Sequence, residues 1–113
     1  MNKVTKSKFI LIPLAMLFSI GCYAAEFVVL QQNKSFVMDG SQIEEMTVQA
    51  GDKIHFQNDD PFFHNVFSLS DNTTFDLGSY PKGESKTVEF KTPGVVEVEC
   101  AIHPQMYLEV TVE

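Results

Sequence analysis

Apolar and polar residues alternate with period two over most of the second half of the chain. In Asp52–Asn58, Ile54 and Phe56 share one face, while Lys53, His55 and Gln57 share the other. Residues 86–90 set Val88 and Phe90 against Thr87 and Glu89. Gly94–Cys100 sets Val96, Val98 and Cys100 against Glu97 and Glu99. Residues 106–112 set Met106, Leu108, Val110 and Val112 against Tyr107, Glu109 and Thr111. This period belongs to half-buried strands, expected here to pair antiparallel, and no helical period stands out. Turn signals separate the runs: Asp39-Gly40-Ser41, Ala50-Gly51-Asp52, Asn58-Asp59-Asp60-Pro61, Ser70-Asp71-Asn72, Pro81-Lys82-Gly83 and Thr92-Pro93-Gly94. Short strands at such spacing predict an all-β sandwich or small barrel. Around His64 the pattern is less regular. Strict alternation groups it with Val66, yet Phe67 and Leu69 look equally suited to a core, and a bulge or a loop-to-strand transition near Asn65 would reconcile them.

The N-terminus reads differently. Lys3, Lys6 and Lys8 precede an apolar run over residues 9–21, and small residues follow at Ala24 and Ala25. This is the pattern of a secretory signal peptide rather than of a membrane span. Residues 1–25 are therefore assigned to the signal, with cleavage after Ala24 or Ala25, and residues 26–113 to one domain. Ser19-Ile20-Gly21-Cys22 distantly resembles a lipoprotein signal, but Ser19 stands where an aliphatic residue is usual, so ordinary cleavage removing Cys22 is the preferred reading. The expected location is the periplasm.

Export changes the charge. Residues 26–113 hold all 15 acidic residues of the chain against five Lys and no Arg, a net of −10. Nucleic acid and anionic lipid both require a basic face, so neither is an expected partner. A basic partner, steered electrostatically, is favoured. A domain this short buries only about 60% of its unfolded surface, and an extra staple such as a metal helps it. One Cys remains after cleavage, too few for an internal disulfide, and an idle thiol is a liability in an oxidising compartment.

Cys100-Ala-Ile-His103-Pro-Gln-Met106 places a thiolate, an imidazole and a thioether within one short stretch, and His64-Asn65-Val66 offers a second imidazole upstream. Alternation sends Cys100 and Met106 inward from either side of the 101–105 connection, with His103 at its tip. Two His, one Cys and a weak axial Met describe the blue-copper electron-transfer site. Each residue alone has a duller reading: buried Cys and Met usually fill cores, and a turn His is usually solvated. Their combination across a strand, loop and strand favours metal. Zinc is the rival ion, but its closed structural sites rarely use Met. His55, grouped with Lys53 and Gln57, reads as a surface residue.

With these motifs, and with the Gly51-Asp52-Lys53-Ile54-His55-Phe56 strand entry and the Thr92-Pro93-Gly94 turn, the chain resembles the cupredoxins. These are the small blue copper proteins that include plastocyanin, pseudoazurin and amicyanin. The short ligand loop, with Pro104 after the second His, is more similar to amicyanin, and the chain looks like plastocyanin-like proteins of the methylamine-utilisation type. The resemblance implies a Greek-key β-sandwich of about seven to eight strands holding one type 1 copper. It implies that His64, Cys100 and His103 form the equatorial plane, with Met106 as axial ligand and the Asn65 side chain tying the two ligand loops together. Glu99 departs from the family, whose members often carry an aromatic residue there.

The function implied is one-electron transfer between periplasmic redox partners, not enzymatic catalysis, by a protein acting as a monomer. A basic c-type cytochrome or a dehydrogenase is the expected kind of partner. Pro61, Pro104 and one of Phe62 or Phe63 would form the apolar contact patch around His103, with both Phe side chains in the core as the competing reading, and Asp59 and Asp60 would orient a basic cytochrome beside it. The alternative function is a periplasmic copper chaperone or storage protein, and a metal-free structural domain is a further one.

Overall fold

The computed structural model describes residues 23–113, so the signal predicted for residues 1–25 lies almost wholly outside the described residues. Ten strands follow in chain order: β1 (Glu26–Gln32), β2 (Ser35–Met38), β3 (Ser41–Gln42), β4 (Glu45–Val48), β5 (Asp52–Asn58), β6 (His64–Ser70), β7 (Thr73–Tyr80), β8 (Ser85–Phe90), β9 (Gly94–Cys100) and β10 (Tyr107–Val112). They form two five-stranded sheets, ordered β3-β2-β1-β5-β8 and β4-β10-β9-β6-β7. The described residues contain no helix. The all-β sandwich expected from the alternation is therefore present, and its strand count exceeds seven to eight because β3 and β4 are short separate pieces.

Both sheets are mixed rather than purely antiparallel. β1 runs parallel to β5, and β4 runs parallel to β10. Alternation dictates the face a side chain takes but carries nothing about which strand becomes its neighbour. Those neighbours are set by the five places where the chain changes sheet, after β3, β4, β5, β7 and β8.

The inward faces are those the pattern marks. Ile54 and Phe56 on β5, Val96 and Val98 on β9, and Leu108 and Val110 on β10 are fully buried. Phe56 meets Phe36 edge-on at 6.1 Å and stacks with Phe75 at 6.4 Å, joining the two layers. Burial of each large apolar side chain contributes about 1.5–3 kcal/mol. The polar ends of β5 also turn inward: Asp52 and Asn58 are both buried. Asp52 accepts the Ala25 and Gln49 amides, each at 2.8 Å.

On β6, His64, Val66 and Ser68 face inward while Leu69 is exposed, so the side-chain faces never switch. The register does break where the sequence reading placed it. Asn65 pairs with Ser79, but Phe67 pairs with Asp76, so the extra residue sits on β7 beside Gly78, whose φ is 73°. Only a residue without a Cβ takes that conformation cheaply.

Candidate metal centre

Cys100 ends β9 with its side chain inward, one of the row Val96, Val98, Cys100. His64 opens the adjacent β6, and Val66 pairs directly with Cys100. These two strands deliver a thiol and an imidazole to one end of the sandwich. The connection to β10 then brings His103 back over them. The Met106 amide closes that loop on the His103 carbonyl at 2.9 Å.

Three side chains converge here. Cys100 Sγ stands 3.6 Å from His64 Nδ1 and 3.8 Å from His103 Nδ1, and the two Nδ1 atoms are 3.2 Å apart. Among the described residues, these three form the group of His, Cys, Asp or Glu able to hold an ion. Met106, the fourth residue expected here, lies at the loop's end and is buried within the core cluster. His55 lies elsewhere, on the outer face of the other sheet. It is fixed by Thr87 Oγ1 at 2.6 Å and Glu26 Oε1 at 2.7 Å, so it is held rather than free in solvent.

The His64 ring has a built orientation. Its Nε2 is 2.7 Å from Asp60 Oδ2, and both side chains are buried. A carboxylate accepts, so Nε2 carries the proton and Nδ1 presents its lone pair to Cys100 and His103. Asp60 also accepts the Asn33 amide at 2.7 Å and the Lys34 amide at 3.0 Å. Burial alone would raise its pKa, but the Lys34 amide, His64 and the Asn33 amide together hold it below the ordinary carboxylate value. Asp60 is therefore not the surface charge expected to orient a partner, because its carboxylate is consumed inside the protein.

Asn58 sets the path of this segment. Its Oδ1 accepts the Asp60 amide at 2.8 Å, and its Nδ2 donates to the Phe62 and Tyr80 carbonyls at 2.8 and 2.9 Å. Its own backbone pairs with Glu84 and Gly83. Asn58-Asp59-Asp60-Pro61 reads as a turn in the sequence, and only the fold reveals that two of its side chains support the His64 segment. The spacing of Asp60 four residues before His64 is the signal that was there to find.

Phe62 is neither core nor contact patch. Its ring lies against both imidazoles, 5.3 Å from His64 and 5.1 Å from His103, with Lys34 Nζ 5.5 Å from its centre. Phe63 is the exposed member of the pair, at 53%, and Ile102, Pro61 and Pro104 are exposed with it. Burial, His64 and Lys34 hold the His103 imidazole below its usual pKa against the opposing pull of Asp60, which keeps the ring neutral and able to coordinate near pH 7.

The tie between the two ligand segments is made by Asn65, but through its backbone. Its amide donates to Cys100 Sγ at 3.4 Å and its carbonyl accepts the Ala101 amide at 3.1 Å. The side-chain Oδ1, expected to make that link, is buried without a hydrogen-bond partner.

The three donors fit one ion. Ligands at about 2.0–2.3 Å from a central metal stand about 3.3–4 Å from one another, close to the separations found here. A thiolate with two imidazoles suits copper, and the thioether at the same end is a soft donor that closed zinc sites seldom use.

A model of copper binding proteins of the plastocyanin/azurin family matches residues 29–113. In fold the chain is similar to amicyanin. A methionine-to-alanine variant of amicyanin with Cu(I) has a TM-score of 0.67 and 20% identity, covering 84% of this chain and 87% of that one. An oxidized proline-to-alanine variant of amicyanin also gives 0.67, at 22% identity over 78% and 82% of the two chains. A copper-containing nitrite reductase from Thermus scotoductus gives 0.67 at 21% identity, over 78% of this chain and 22% of that one. No curated protein sequence matches the chain significantly.

Proposed function

Because the chain belongs to the plastocyanin/azurin family of copper-binding proteins, we propose that it carries single electrons on one type 1 copper that His64, Cys100 and His103 would hold, with Met106 as a fourth, weak donor. The observation that carries this reading is the triangle of Nδ1, Sγ and Nδ1 atoms with edges of 3.2–3.8 Å. Bound copper supplies the one-electron couple between Cu(II) and Cu(I).

The chain's own residues supply the rest. Cys100 and His64 are held on adjacent strands of one sheet, so their spacing is fixed by backbone pairing rather than by a loose loop. The Asn65 amide donates to the sulfur and stabilises negative charge on it. Pro104 lacks an N–H and fixes φ, stiffening the loop behind His103. Phe62 packs on both rings and restricts water at the centre. Burial of His64, Cys100 and Met106 favours retention over exchange, which argues against a chaperone or store that hands its metal on.

The face where electrons enter and leave is the end carrying His103, where Ile102 and Pro104 flank it in the chain and are exposed, as are Pro61 and Phe63 on the segment before His64. A small patch of this kind suits a brief contact, below about 1,200 Å². The partner is a basic redox protein, since residues 26–113 carry a net of −10. Its approach is steered by the overall field and slows with added salt.

Export is part of the same reading, with processing after Ala24 or Ala25, and cleavage after Ala24 would free the amine next to Asp52. The Ala25 amide already lies 2.8 Å from Asp52 Oδ1. The α-ammonium freed there would form an ion pair with a buried carboxylate that otherwise has amide donors alone.

Copper-loaded protein tests the function. The expected result is an intense visible absorption with the EPR signal of a type 1 centre, reversible one-electron cycling, and loss of the colour in Cys100→Ser. Colourless copper uptake, or metal that passes to a chelator without redox cycling, would leave the chaperone reading in its place.

A further inference from the structure

The β1–β2 hairpin reaches the candidate metal centre through a single carboxylate. Its two turn residues, Asn33 and Lys34, both have positive φ, 54° and 57°, as the tight hairpin demands. Lys34 is neither glycine nor asparagine, so the turn holds it in a conformation that L side chains rarely adopt. Both amides point at Asp60, at 2.7 and 3.0 Å, and the same carboxylate receives His64 Nε2 at 2.7 Å. Asp60 is itself placed by Asn58, through its backbone amide. One buried group thus satisfies the hairpin's amides and fixes which ring nitrogen of His64 carries the proton.

We propose that Asp60 is a positioning residue for the copper centre, locking His64 in the Nε2–H form and placing a negative charge behind the ring where it favours the more oxidised metal. This rests on the reading of His64 as a copper ligand. A carboxylate hydrogen-bonded to the outer nitrogen of a ligating His fixes the tautomer and raises the basicity of the ligand. Two fates for the ring follow from the atom at Oδ2. With oxygen there, Nδ1 keeps a lone pair toward Cys100. With an amide NH₂ there, the donor faces Nε2, the proton moves to Nδ1, and the coordinating position is blocked, as when the Asp of a catalytic triad is amidated.

The first test needs no copper and no variant. Nitrogen-15 NMR of the metal-free, full domain is expected to show His64 protonated at Nε2; protonation at Nδ1 overturns the proposal. The second test is Asp60→Asn. Its affinity for Cu(I) is expected to fall about 10–100-fold, and its Cu(II)/Cu(I) preference is expected to shift at least tenfold toward Cu(I), a rise in potential of about 59 mV. A variant with wild-type affinity and potential overturns it. Should Asp60→Asn unfold because the hairpin amides lose an acceptor, the same substitution with Lys34→Gly, which relieves the positive φ, carries the measurement. Failure of the wild-type protein to form a blue centre would count against the copper reading, while the tautomer measured without metal still decides the role of Asp60.

Discussion

Gln31 and Tyr80 join the two sheets through the core: Gln31 Nε2 on β1 donates to the Tyr80 hydroxyl on β7 at 2.7 Å, with both side chains fully buried. The hydroxyl reaches the Phe56 carbonyl at 3.2 Å in turn. A satisfied polar pair in the interior fixes how the layers sit on each other, because any shift would strand polar atoms away from water. Tyr80 also pairs with His64 across β6 and β7, so this contact lies one strand from the metal centre.

Replacement of Tyr80 by Phe is therefore expected to cost about 1–3 kcal/mol, as Gln31 is left buried without its partner. The alkaline limb of stability should change as well. Burial, reinforced by Cys100 and Glu84, raises the Tyr80 pKa far above its usual value near 10. A group raised on folding contributes stability that is full below the unfolded value and is lost as pH climbs through the folded one. Denaturant titrations of the native protein should show stability falling above about pH 10, and Tyr80→Phe should flatten most of that fall. Tyr107, raised by burial and by Glu97 and Glu109, accounts for a remainder.

Asn58→Ala tests the scaffold of the His64 segment. It removes three side-chain hydrogen bonds, to the Asp60 amide and to the Phe62 and Tyr80 carbonyls. At about 1 kcal/mol each the expected loss is about 3 kcal/mol by urea unfolding. Hydrogen exchange should localise the loosening to residues 58–64 and leave the β9–β10 pairing protected.

Met106→Gln is expected to keep the visible colour and lower the reduction potential, measured by voltammetry. An amide oxygen is a harder donor than a thioether and would favour Cu(II), whereas the absorption would come from the Cys100 thiolate holding the copper. Loss of colour together with unchanged potential would contradict an axial role for Met106.

Glu109→Lys is expected to stabilise the domain without touching the metal. Glu109 lies directly opposite Glu45 on β4 and opposite Glu97 on β9, so three carboxylates stand in one row across the sheet. Like charges in directly opposed positions are destabilising by a few tenths to about 1 kcal/mol. Thermal melts should rise at low salt, and the gain should shrink as salt is added.

Much of the site was legible in the residues alone. Cys-x-x-His-x-x-Met straddling the end of one strand and the start of the next forces two sulfurs inward around a loop, because the period of two leaves no other choice. In the structure Cys100 and Met106 are both buried, and Cys100 Sγ lies 3.6 and 3.8 Å from His64 and His103. Two other readings had no such support. The sequence reading sets Asp60 with Asp59 beside the contact patch to orient a partner; its burial depends on β1–β2 amides roughly 26 residues away. Phe62 and Phe63 are adjacent and chemically identical, and only the path dictated by Asn58 puts one on the imidazoles and the other in solvent.

Taken by itself, the sequence determined which faces are buried, where the turns fall and which donor atoms are available, since alternation and residue chemistry act locally and need no partner. Tertiary structure decided everything that depends on distant segments meeting. That includes the two parallel strand pairs, the register break held by Gly78, the backbone rather than side-chain tie at Asn65, and the carboxylate that orients His64. A hydrogen bond across many residues is selected by the closure of the whole sandwich, and no window of neighbouring positions contains it.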